Sequence, residues 1–97
     1  MTNEQKSKLI ASAIMRQLKI KIDYLDSLVE VDPYVLGLSR MGDDFLYANA
    51  FHHDGYHFYR FDLSNIKKVI VTESQFTKNK DFKAPIYLNE TYAIIEI

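Results

Sequence analysis

Cysteine is absent from the 97 residues, which excludes a disulfide scaffold, a thiol nucleophile and any thiolate-ligated zinc or iron–sulfur site. Glycine and proline number only three and two, so long irregular loops are not expected and no glycine-rich phosphate cradle exists. Neither sign of charge dominates. Twelve Lys and Arg stand against 13 Asp and Glu, and no global positive field draws the chain onto nucleic acid. No run approaches the ~20 apolar residues that cross a bilayer. The polar, charged N-terminus is no secretory signal, so the expected location is the cytoplasm, with no membrane partner.

What is present is the balance of a soluble globule, 47% hydrophobic and 26% charged. A chain this short hides only roughly 60–65% of its unfolded surface, so a single domain over residues 1–97 is expected, with most apolar residues inside. The charge is unevenly spread. Residues 1–22 carry Lys6, Lys8, Arg16, Lys19 and Lys21 against Glu4, a net +4, whereas residues 23–62 carry eight acids against Arg40 and Arg60, a net −6. The basic head reads as the solvated face of a helix.

Residues 2–18 are predicted to be that helix. Leu9, Ile10, Ala13, Ile14 and Leu18 follow one apolar stripe, with Lys6, Lys8, Ser12 and Arg16 elsewhere on the circumference. Thr2 or Asn3 caps it, and Glu4 and Gln5 suit the positive end of its dipole. From Lys19 the period becomes two, with Ile20, Ile22 and Tyr24 on one side of a strand. Further extended runs follow at residues 28–32, ending at Pro33, and at 34–40, 44–52, 56–62 and 66–73. Residues 75–84 read as a polar, lysine-rich loop, and 85–88 with 91–97 as a last extended pair. The fold class is therefore α+β: an N-terminal helix on a bent antiparallel sheet or barrel of about five strands. Its core is expected to include Leu9, Ile14, Ile22, Leu46, Ala48, Phe61, Leu63, Ile66 and Val69.

Asp54-Gly55 between two strand-like runs signals a type I′ hairpin. In that register His52 faces His57, Ala50 faces Tyr59 and Asn49 faces Arg60. One face then holds Leu46, Ala48, Ala50, Tyr59, Phe61 and Leu63 and belongs to the core. The other holds Phe45, Tyr47, Asn49, Phe51, Phe58, Arg60 and Asp62. Aromatics mixed with Arg and Asn on a sheet face suit stacking of unpaired bases or planar ligands. The same face suits cover by the N-terminal helix or by a second subunit. The candidate ligand-binding residues are Tyr47, Asn49, Phe51, Phe58 and Arg60.

Several strings resemble the WYL domain family, bacterial modules with an SH3-like (Sm-like) β-barrel. They are Ile22-Asp23-Tyr24, Pro33-Tyr34, Asp44-Phe45-Leu46-Tyr47-Ala48, Phe61-x-Leu63-x-x-Ile66 with Val69, and a closing Phe76. The resemblance covers residues 20–76, followed by a C-terminal extension over 85–97. Asp44 stands where the family has its naming Trp, and Asp62 and Asn65 stand where it carries arginines thought to line the ligand site. Family members usually carry a helix-turn-helix domain upstream, where this chain has one helix, so the resemblance implies a stand-alone module. It also implies a non-catalytic, ligand-sensing or regulatory role that takes a small ligand, a nucleotide or single-stranded nucleic acid. The competing reading is a structural protein that forms a homodimer or partner complex through the aromatic face or the C-terminal strand.

Other chemistry is not expected. His52 and His57 are placed as cross-strand neighbours, but His53 points the other way, so the three make a polar hairpin tip rather than a metal site. Ser39, Ser64 and Ser74 lack a nucleophile elbow, and Asp43-Asp44 solvates a turn. No enzyme, no cofactor and no metal is expected. The C-terminal run Tyr92-Ala93-Ile94-Ile95-Glu96-Ile97 is an aggregation-prone edge unless covered, and docking onto the chain's own sheet is expected.

Overall fold

A computed structural model describes residues 1–96. Helix α1 (Asn3–Arg16) is followed by strands β1 (Leu18–Tyr24), β2 (Ser27–Ser39), β3 (Asp44–His52) and β4 (Gly55–Asp62). A single 3-10 turn, Leu63–Asn65, leads into β5 (Ile66–Gln75), and β6 (Leu88–Ile94) closes the chain. The sheet is antiparallel with strand order β4-β3-β2-β1-β5, and β6 pairs with β2 off that path. The class is the expected α+β, with one strand more than predicted.

Thr2 caps α1 in a capping box: its hydroxyl accepts from the Gln5 amide at 3.1 Å, and the Gln5 side chain accepts from the Thr2 amide at 2.8 Å. Gln17 ends the helix in a left-handed conformation (φ 58°) and is bonded to Phe76 through both its backbone carbonyl and its side-chain amide. The helix is thereby pinned to the end of β5. Its buried stripe is Lys6, Ile10, Ala13 and Ile14, with Leu9 only half-buried and Leu18 already in β1. Lys6, expected on the solvated face, is instead 5% exposed, and its ammonium donates to the Leu63 carbonyl at 2.6 Å. That contact adds a second donor to a carbonyl that already accepts from the Ile66 amide, while burial holds the Lys6 pKa below its ordinary value. The other expected core residues are buried as predicted.

The two runs expected at 28–32 and 34–40 are one strand. β2 continues through Pro33 and is bent there, with an irregularity in its pairing to β3 between Pro33 and Val35. The first half of β2 pairs with β1, and the second half lies between β3 and β6. β6 approaches closely because Gly37 has no side chain: a Cβ there would stand 2.5 Å from the Glu90 carbonyl oxygen and 2.6 Å from Leu88 Cδ1. The C-terminal segment is therefore docked within its own chain, burying Ala93 and Ile95, with the Ile95 amide donating to the Tyr34 carbonyl at 2.8 Å. Residues 85–88 form no strand pair with it; Leu88 closes a turn onto the Pro85 carbonyl. Ile97 of the expected strand lies outside the described residues.

The β3–β4 hairpin turns at His53-Asp54, one residue earlier than predicted, because His53 rather than Gly55 takes the left-handed conformation (φ 51°). Asn49 consequently faces Phe58, and Ala50 faces His57. Each strand slips by a whole two-residue period relative to the predicted pairing, so every side chain keeps its predicted face. A second tight turn, Leu25-Asp26, has both residues at positive φ and joins β1 to β2 without any glycine.

Candidate functional site

The outer face of β3 and β4 divides into two halves, and the helix covers neither. α1 packs on β1, β2, β5 and β6. In the half nearer the β2–β3 turn, the cover comes from the chain segment between β5 and β6. Phe82 packs on Tyr34, Tyr47 and Phe58, with ring centroids 4.9, 6.4 and 5.7 Å away, and Tyr47 stacks on Phe58 at 5.2 Å. Tyr87 lies against the fully buried Phe45 at 5.2 Å. The Arg60 guanidinium sits 5.3 Å from the Phe45 ring and 5.0 Å from the Tyr87 ring. It is also tied to Asp62 at 2.8 Å and to Asp43 at 3.6 Å. The expected cover by the helix or a second subunit is thus replaced by Phe82, from the stretch 75–84 that reads as a lysine-rich loop, and by Tyr87, from the run 85–88 expected to be extended.

The other half stays open. There a row of side chains runs across three strands. Lys19 of β1, one position beyond the Ile20–Val31 pair, reaches Asp32 of β2 at 2.9 Å; Asp32 is the register partner of Asn49 in β3. These three line a cavity of about 420 Å³ together with Tyr56, Gln75 and Asn79. That volume is in the range of small-molecule sites, roughly 300–1,000 Å³. Asp32 and Asn49 are 5% and 7% exposed. The Tyr56 ring forms a wall, 5.9 Å from the Lys19 ammonium.

Burial pushes the Asp32 carboxyl above the ordinary carboxylate range, and the hydrogen bond and charge of Lys19 only partly oppose it. Burial also works against the Lys19 ammonium, but there the bond to Asp32 and its charge prevail, and the pKa is raised. The Asn49 carboxamide makes no hydrogen bond among the described residues, yet no buried polar atom is left without a partner. Its polar atoms therefore open into the cavity. Tyr34, whose hydroxyl accepts from the Asn79 amide at 2.7 Å, fastens the loop that forms the rim.

Of the five predicted ligand-binding residues, Asn49 alone lines this cavity. Tyr47, Phe58 and Arg60 are occupied in the covered half, and Phe51 is 63% exposed near the hairpin tip, edge-on to Tyr56. Lys19, Asp32 and Tyr56 escaped the sequence reading. No local signal marked Asp32, which takes the outward place in the alternation Val29-Glu30-Val31-Asp32 and is buried only by what the fold brings over it. The three histidines do not meet at one point: His57 faces Ala50 and bonds Asp54 at 3.2 Å, while the His52 and His53 rings, expected on opposite faces, lie 4.0 Å apart because the turn begins at His53. Among the described residues no three His, Asp or Glu side chains gather as a metal cage, and no helix is long and apolar enough to cross a membrane. Both surfaces named for a homodimer are engaged within the chain, the aromatic face by Phe82 and Tyr87 and β6 by β2.

The chain is thus an α+β protein with an N-terminal helix, a bent antiparallel sheet and a polar cavity on the sheet's outer face. Compared with family models, curated proteins and solved structures, it finds no significant match in any of the three.

Proposed function

We propose that this protein is a non-catalytic, WYL-like ligand-sensing or regulatory module that takes a nucleotide, free or within a single strand, into the cavity formed by Lys19, Asp32 and Asn49. The observation that carries the reading is Asn49, a side chain over nine-tenths buried whose amide is spent on no partner among the described residues and opens into a polar cavity. Solvent reaches that amide through the cavity, so a ligand group with matching donors and acceptors can take the place of water on it.

Two features support the SH3-like (Sm-like) and WYL-like part. The strand order is that of a bent five-strand sheet led by a helix, with a 3-10 turn between β4 and β5. Among the residues that carry the resemblance, Ile22, Tyr34, Phe45, Leu46, Ala48, Phe61, Leu63, Ile66, Val69 and Phe76 are buried, whereas Asp23, Tyr24, Asp44 and Tyr47 are half-buried. In that reading the module is bacterial and cytoplasmic and senses a signal in transcription control or defence. The family's arginine positions, here Asp62 and Asn65, do not line the cavity, so ligand recognition passes to Lys19, Asp32 and Asn49.

Thermal unfolding with the four mononucleotides and short single strands tests the reading. A ligand at a hundred times its Kd adds about 2.7 kcal/mol, which raises the Tm of a domain this size by several degrees. The rise should disappear in Asn49→Ala and Tyr56→Ala. No rise with any of these ligands, or a rise that survives both substitutions, rejects the reading.

A further inference from the structure

We propose that the free edge of β4 is an interaction surface for a second copy of this chain, which joins the two sheets by antiparallel β4–β4 pairing about a two-fold axis at Tyr59. This surface is neither the aromatic face nor β6, and the inference stands apart from the reading of the cavity.

The path of paired strands ends at β4 and β5, and β6 flanks β2 off that path. These three edges differ in how they are guarded. β5 carries Lys67, Lys68 and Glu73, and its pairing with β1 is irregular at two places. β6 carries Glu90, and its pairing with β2 is also irregular at two places. Charged residues, lysine above all, and bulges keep an exposed edge from pairing with another chain. β4 has no lysine and no proline, and all 8 of its residues pair with β3 without an irregularity. Tyr56, Phe58, Tyr59 and Phe61 give it the composition of a strand that pairs well.

The hairpin fixes which backbone groups are free. His53 and Asp54 separate the closing pair, His52 and Gly55, so that pair exchanges both of its hydrogen bonds. Alternation from there turns the backbone of Gly55, His57, Tyr59 and Phe61 toward β3. The backbone of Tyr56, Phe58, Arg60 and Asp62 turns outward. Among the described residues, no turn, loop or cap takes a bond from the N–H groups of those four.

Charge sets the partner and the register. A second β4, running antiparallel with its faces matched, uses the outward groups most fully when the axis falls at Phe58 or at Tyr59. At Phe58, Asp62 of one copy comes beside Asp54 of the other, a like-charge contact. At Tyr59, Phe58 faces Arg60 of the second copy and Tyr56 faces Asp62, each contact made twice by symmetry. A guanidinium then lies against an aromatic ring and a phenol hydroxyl beside a carboxylate, with no like charges opposed. Arg60 keeps Asp62 and Asp43 as partners in its own chain, so no unpaired charge enters the contact. The strand is its own complement, as a two-fold contact requires.

Two measurements test the pairing. On the unaltered protein, light scattering follows the mass across roughly 10 μM to 1 mM, the range of weak reversible association. NMR reads the exchange rate of each amide over the same range. The mass should double as concentration rises, and the Phe58, Arg60 and Asp62 amides should slow by about tenfold or more. The His57, Tyr59 and Phe61 amides, bonded to β3 in either state, should keep their rates. The second measurement uses the absence of cysteine from the chain. In Tyr59→Cys the new thiol meets its own copy across the axis, in a non-hydrogen-bonded pair with Cα atoms about 4.5 Å apart, within reach of a disulfide. In His57→Cys the two thiols stand four residues apart along the ladder, about 13 Å. Mild oxidation should cross-link the first variant at least about tenfold faster than the second. A monomer at every concentration, a dimer whose Phe58, Arg60 and Asp62 amides exchange as in the monomer, or equal cross-linking of the two variants overturns the proposal. If Tyr59→Cys fails to fold, the exchange pattern of the unaltered protein decides alone.

Discussion

Two halves of one sheet face lie side by side on β3 and β4 and are treated in opposite ways. In the covered half, Phe45 is fully buried and Tyr47, Phe58 and Arg60 are half-buried against Phe82 and Tyr87. In the open half, Lys19, Asp32 and Asn49 line a cavity and keep a buried amide unspent. Aromatic surface attracts its own cover because burying it gains roughly 25 cal/mol per Å². Polar surface gains little from cover unless every group is matched. The division between stability and binding thus follows the composition of the face, residue by residue.

The largest effect should come from removing what tethers the cover. The segment bearing Phe82 and Tyr87 is held between β5 and β6. Deleting Thr91–Ile97 removes three of the five β2–β6 register pairs and the buried Ala93 and Ile95, on the order of 4 kcal/mol of the 5–15 kcal/mol typical of a domain. Such a chain should aggregate or lose cooperative unfolding, as seen by circular dichroism and light scattering. A soluble, equally heat-stable truncation would show that the cover does not depend on β6. Gly37→Ala attacks the same docking by steric conflict with Glu90 and should cost about 1–3 kcal/mol in urea denaturation. Phe82→Ala strips the cover without touching β6 and should cost about 2 kcal/mol, less than a fully buried Phe because the ring is only partly enclosed.

The fold was largely legible in the sequence, and the site was not. Period-3.6 and period-2 patterns placed α1 and most strands, because Ile10, Ile14, Ile20, Ile22, Leu46 and Phe61 must all be buried somewhere. The β3–β4 faces were also correct, since a slip by a full two-residue period preserves them. The hairpin register was missed because Asp54-Gly55 has ideal turn chemistry, yet His53 took the left-handed position instead. The cover was missed because Phe82 lies in a lysine-rich stretch and Tyr87 in a run read as strand, and both act on residues far away in sequence. Lys19, Asp32 and Tyr56 come from three strands and meet only through strand pairing, which no local pattern encodes.

A smaller effect separates burial from pairing in the open half. Because burial raises the Asp32 pKa, the folded protein holds that proton more tightly than the unfolded chain does. Its contribution to stability should therefore fall as pH rises from the ordinary carboxylate value through the raised one, and level off above. The stability difference between the unaltered protein and Asp32→Asn, from urea midpoints at a series of pH values, should decline across that window. A difference that grows with pH would mean that the Lys19 pair outweighs the burial cost.

The most direct measurement compares the two halves in one experiment, the unfolding free energies of Asn49→Ala and Phe82→Ala in urea. The smallest loss belongs to Asn49, whose amide has no partner among the described residues and is reached by solvent; its removal should cost under about 0.5 kcal/mol, against about 2 kcal/mol for Phe82. If Asn49→Ala destabilises the protein as much as Phe82→Ala does, the open half is part of the structural core rather than a binding site, and the account is contradicted.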